Sequence, residues 1–204
     1  MNVRLEYDMH WRAGIWFENC LQINNYNIEV SIITNTSNAD DHVVSLSRIN
    51  HFVYSEMANT VYIHQDDTAQ IQALTAAGIK VTTLPEQPID QIIGLALYSK
   101  LNAILQERMF VTGVTIQSDL GDNVRYLHSD RESLGPLNQS GWWQDSSPVH
   151  SDFKTTASKK HVVRLNRTLT WQDLDLEWSD VEPVDNTGNT GNTVVFAKFG
   201  PDEN

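Results

Sequence analysis

One cysteine, Cys20, stands among 204 residues. No internal disulfide and no cysteine-based zinc site can form from it. Cysteine this sparse fits a reducing, intracellular compartment, and a cytoplasmic location is the expectation. Basic charge is also short. Against 26 acids stand 14 lysines and arginines, for a net charge of −12. That balance argues against broad neutralisation of duplex nucleic acid and against adhesion to anionic membranes. It fits plain solubility or a basic protein partner. Long apolar runs are missing as well. The longest, Ile92 to Tyr98, is far too short to cross a bilayer. Met1 to Glu6 carry neither the basic cluster nor the apolar core of a secretory signal. Glycine-rich phosphate cradles of the Walker or Gly-x-Gly-x-x-Gly kind are lacking. So is a Gly-x-Ser-x-Gly elbow. Nucleotide-dependent phosphoryl transfer therefore has no familiar route here.

What is present reads as a mixed α/β domain. Ile15, Phe17, Leu21 and Ile23 alternate with polar or small residues, and Tyr26, Ile28, Val30 and Ile32 do the same. Asn24-Asn25 between them predicts the turn of a hairpin. Val43, Leu46, Ile49, Val53 and Met57 recur at helical spacing behind a cap at Asn38 or Asp40. Val61-Tyr62-Ile63, a helix from Asp66-Asp67-Thr68 ending at Gly78, and Ile79 to Leu84 have the pattern of a parallel crossover unit. A helix over 88–108 is apolar nearly all round, which predicts a buried central helix. Phe110 to Ile116 and Val124 to His128 then form a second hairpin around Gly121-Asp122-Asn123. The expected fold is α+β: a central mixed sheet in the order ββαβαβαββ, a hairpin at each end and the long helix packed on one face. This domain takes in 1–140. Residues 141–204 read as a polar extension, a hairpin followed by a flexible tail rich in Asn, Thr and Gly.

The stretch Pro88-Ile89-Asp90-Gln91-Ile92-Ile93-Gly94, then Lys100-Leu101-Asn102-Ala103-Ile104, then Ser118-Asp119-Leu120-Gly121-Asp122-Asn123, resembles uncharacterised proteins of T4-like tailed phages. The resemblance takes in residues 10–150. It implies a host-cytoplasmic or virion setting. It implies no chemistry and no residue role.

Three constellations are candidates for function. His128-Ser129-Asp130 and His150-Ser151-Asp152 repeat a tripeptide, and His64 stands at the end of a predicted parallel strand. Imidazole and carboxylate suit borderline divalent cations. His64, His128, Asp130, His150 and Asp152 would make the metal site of a small metal-dependent hydrolase, with a metal-activated water as nucleophile. The bland reading puts these histidines at the surface and the aspartates in turns. Ser129 or Ser151 beside a histidine is a lesser nucleophile candidate. Cys20 reads as a structural thiol on a strand. Trp142-Trp143 is a second constellation, one ring buried and the other free to stack.

The third is the extension itself. Five bases and no acids lie between Lys154 and Arg167, then six acids and no bases between Asp173 and Asp185. Trp171, Leu174, Leu176 and Trp178 are interleaved with those acids. This texture suits a segment that docks on a basic, apolar groove of another protein. The competing reading is a plain strand packed on the domain. The leading expectation is a non-enzymatic accessory protein without cofactor, contacting a partner through Trp171, Leu174, Leu176 and Trp178. The metal-dependent hydrolase and a virion structural subunit are the alternatives.

Overall fold

The computed structural model describes residues 4–34, 38–122, 124–129, 134–149 and 169–178. Two long strands open the chain, β1 (Arg4–Phe17) and β2 (Cys20–Thr34), paired along their full length from Arg4↔Ile33 to Phe17↔Cys20. The turn is the two-residue loop Glu18-Asn19, both with positive φ, 49° and 62°. Such primed turns match the twist of a hairpin. The expected turn at Asn24-Asn25 is therefore displaced, and those residues sit inside β2. Asn24 is buried and its side chain accepts from the Leu120 amide. Leu21 and Ile23, which helped mark the expected strand, are exposed.

Helix α1 (Ala39–His51) starts at Asn38, whose side chain accepts from Asp40 N at 3.1 Å. It continues as a π-helical segment, Phe52–Met57. The buried face is Asp41, Ser45, Arg48 and Ile49, so Val43 points outward rather than into the core. Strand β3 (Val61–His64), helix α2 (Thr68–Ala76) and strand β4 (Val81–Leu84) form the parallel crossover, with Gly78 left-handed at φ 78° after α2. Helix α3 (Asp90–Leu105) leads to β5 (Met109–Ser118) and the short β6 (Tyr126–Ser129).

The element order is ββαβαβαββ, and the six strands lie in the order β4-β3-β1-β2-β5-β6. The first hairpin thus occupies the centre of the sheet, not one end. Each of its long strands has a second edge to offer: β1 takes β3 in parallel and β2 takes β5 antiparallel. The main core lies between one sheet face and α1 and α3. It holds Met9, Trp11, Ile28, Val30, Ile32, Phe52, Ile93, Leu97, Leu101 and Val114. Each such side chain contributes roughly 1.5–3 kcal/mol of burial. Helix α3 approaches the sheet closely at Gly94, where a Cβ would fall 2.6 Å from Ile116 and 2.8 Å from the His128 ring.

Strand β6 covers only residues 113–116 of β5. Farther along that edge, Asn102 of α3 takes the place of a strand. Its amide donates to Val111 O at 3.2 Å, and its oxygen accepts from Val111 N at 3.0 Å. Among the described residues, no helix is long and apolar enough to cross a membrane.

Candidate functional site

The core runs past residue 140. Leu137, Trp143 and Trp171 belong to the same buried cluster as the strands and helices, and Trp142, Leu174 and Leu176 pack against it. The extension is fastened by indole and cationic N–H groups. Trp142 Nε1 donates to Thr83 O at 2.9 Å on the edge strand β4, and its ring stacks on Phe52 with centroids 6.1 Å apart. Trp143 Nε1 donates to Leu137 O at 2.8 Å. Lys100, fully buried in α3, donates to Asp145 O at 2.6 Å and Val149 O at 3.3 Å. Burial pushes the Lys100 ammonium down to about 8, against the pull of Asp145 and Glu56.

Residues 171–178 complete the strap. Trp171 is buried, with Nε1 donating to Ser146 O at 2.6 Å and its ring edge-on to His51. Arg48 is 1 % exposed and organises the rest. Its Nη1 donates to Ile104 O at 2.9 Å and to Gln106 Oε1 at 3.0 Å, and its Nε to Leu176 O at 2.7 Å. The Ile104 contact satisfies a carbonyl of the last turn of α3, where the helix dipole favours a cation. The guanidinium lies between two indoles, 4.6 Å from the Trp171 centroid and 4.0 Å from that of Trp178. Arg108 also lies over the Trp178 ring, 5.4 Å from its centroid. Trp178 Nε1 donates to Gln106 Oε1. Burial lowers the Arg48 pKa, Glu177 raises it, and the group stays charged at neutral pH.

The four residues singled out as partner-binding are therefore brought together, and their apolar sides meet their own domain. Trp171 is buried, while Leu174, Leu176 and Trp178 are half-buried. Gln172, Asp173, Asp175 and Glu177 alternate with them and are exposed. The segment is a 3-10 turn, Gln172–Leu174, followed by extended chain. Thr170 and Asp173 lock its start: Asp173 Oδ2 accepts from Thr170 Oγ1 at 2.7 Å, and Thr170 Oγ1 accepts from Asp173 N at 3.2 Å.

The metal constellation is not brought together in the part that is described. His64 ends β3 and His128 lies on β6, four strand positions apart. At about 4.8 Å per strand they stand on the order of 19 Å apart along the sheet. His128 is buried over Gly94, whereas His64 makes local contacts with Asp66. Asp130, His150 and Asp152 lie outside the described residues, as does Ser151. Among the described residues no group of three or more His, Cys, Asp or Glu is placed to share a metal ion. Cys20 is exposed at the hairpin turn rather than a core thiol.

A shallow groove of about 250 Å³ crosses the outer face of β1, β2 and β5. Asp8, His10, Asn27, Glu29, Gln117 and Arg125 line it. Asp8 and Glu29 are direct cross-strand partners in it.

Arg48 and Lys100 escaped the reading of the sequence. Their signal was a cation on the apolar stripe of a helix, Arg48 beside Ser45, Ile49 and Phe52, and Lys100 among Leu97, Leu101 and Ile104.

No protein-family model and no curated protein matches the chain. Among solved structures, an uncharacterised protein from Wolinella succinogenes is similar at 10% identity and a TM-score of 0.49, covering 64% of this chain and 99% of that one.

Proposed function

We propose that the protein is a non-enzymatic accessory protein that acts through a basic protein partner. The observation behind this reading is the two-sided segment 171–178. Its apolar edge is spent on the domain, and three of its four exposed side chains, Asp173, Asp175 and Glu177, are acids. The partner contact is then the outward edge, held rigid by the Arg48 stack. A net charge of −12 steers a basic partner toward it. The sparse cysteine and the phage resemblance support an intracellular setting, in a host cell or a virion.

The test is capture by the full-length chain from lysate, identification of the partner, and reconstitution of the pair from purified proteins. Gln172→Lys with Asp175→Asn alters two outward positions and leaves the Thr170–Asp173 lock and the Arg48 contacts intact. Affinity is expected to fall about tenfold in this variant and to weaken with salt. A reconstituted partner that binds both proteins equally removes the segment from the interface. A parent chain that retains no partner refutes the reading.

A further inference from the structure

We propose that the cleft beneath residues 171–178 is a peptide-binding groove, and that it accepts this segment from a second copy of the chain as well as from its own. Three features support it. The receptor side is organised without the segment, because the Nη1 bonds of Arg48 go to Ile104 O and Gln106 Oε1, both on the domain. That leaves Arg48 Nε and both guanidinium faces for the segment, which fills them with Leu176 O, Trp171 and Trp178.

The second feature is charge. Arg48 and Arg108 form the cationic side of the groove, and the segment carries Asp173, Asp175 and Glu177. Glu177 favours the charged form of Arg48. A cation desolvated between two tryptophans is held far more firmly than one in water.

The third is reach. Residues 150–168 join Val149, bonded to Lys100, to the start of the segment. Fully extended, a chain of that length spans on the order of 60 Å. That covalent length does not forbid the segment of one molecule from entering the groove of another. Every contact made within one chain is then reproduced between two, as in other exchanged arms. The occupant is the same segment of a second copy, since that sequence is the one the groove fits.

The test uses the full chain carrying Trp171→Ala and Trp178→Ala, which cannot fill its own groove, and a fluorescein-labelled peptide spanning residues 169–178. The peptide is expected to bind this variant with a dissociation constant of roughly micromolar order and to raise its Tm. It should bind the parent chain about tenfold more weakly or worse, because the groove there is occupied. The same peptide with both tryptophans replaced by alanine should not bind. Adding Arg48→Lys should weaken binding about tenfold, because an ammonium cannot stack between two indoles while donating along its edge. Absence of saturable binding to a variant that keeps the parent's circular dichroism overturns the proposal. Where the double variant does not fold, Trp178→Ala alone takes its place, and failure of the peptide to raise its Tm overturns the proposal equally. The result is independent of the outward acidic edge, which this experiment leaves unchanged.

Discussion

Replacing Asn102 with leucine tests whether a side chain completes the sheet. Three bonds are lost: to Tyr98 O at 3.1 Å, to Val111 O at 3.2 Å and from Val111 N at 3.0 Å. At roughly 0.5–1.5 kcal/mol net for each, the loss is about 3 kcal/mol. The site is half-buried, so water reaches some of the freed groups, and leucine adds apolar contact. About 2 kcal/mol of destabilisation remains. In a chain of this size Tm moves by about 2–4 °C per kcal/mol, which predicts a fall of about 4–8 °C. The location of the effect matters more than its size. Hydrogen exchange should show the Val111 amide losing protection while Val114 and Ile116, deeper in the same strand, keep theirs. Asn102→Asp restores the acceptor but sets a carboxylate against two carbonyl oxygens. It should be worse than leucine at neutral pH and recover in acid as the carboxylate protonates. A Tm within 1 °C of the parent, with Val111 still protected, would refute the argument that Asn102 substitutes for a strand.

Arg48→Lys keeps the charge but loses the planar stack and at least one of the carbonyl bonds. It should cost about 2–4 kcal/mol in chemical denaturation and red-shift tryptophan emission as Trp178 loosens. Lys100 has its pKa lowered from 10.5 to about 8. Between those values the unfolded chain binds the extra proton, so this group makes stability rise with pH across that window, by up to about 3 kcal/mol. Urea midpoints at pH 7, 8, 9 and 10 should show the rise in the parent and not in Lys100→Met. Asp8 and Glu29 face one another on β1 and β2, and neither makes an ion pair among the described residues. Asp8→Asn should therefore stabilise the protein by about 0.2–1 kcal/mol at low salt, and the gain should shrink at high salt; a loss of stability at both would contradict the register.

Elements with strong local periodicity were legible in the sequence. Helix α3 is apolar nearly all round and is buried nearly all round, and the β3-α2-β4 crossover carries its own glycine stop. The first hairpin is where the sequence expects it, but two signals conflict over its turn. Asn24-Asn25 has turn composition, yet Asn24 spends its side chain on the Leu120 amide and stays in a strand. The true turn, Glu18-Asn19, has weaker composition and is set by the register of two long strands. Val43 has the spacing of a buried position in α1, whereas Arg48 and Ser45 occupy that face through bonds to distant carbonyls or to the helix itself. The strap is the clearest case. The spacing of Trp171, Leu174, Leu176 and Trp178 revealed a segment with an inner edge. What that edge meets was decided by Arg48, more than 120 residues earlier, and no local pattern carries that information.

Beside its buried indoles, the strap is fixed by four of its own backbone carbonyls. Lys100, Trp171 and Arg48 bond to the carbonyl oxygens of Asp145, Val149, Ser146 and Leu176, and every residue type offers the same carbonyl. Its path is thus written in the donors, most of which sit on the helices, and scarcely in the side chains at the accepting positions. Substitutions at 146 and 149 change the surface chemistry of this side of the protein and leave those carbonyl acceptors in place, whereas the Asp145 side chain also accepts from Ser147 and offsets the Lys100 charge. A designer, or natural drift, has there two positions where recognition can be rewritten while the architecture stays put.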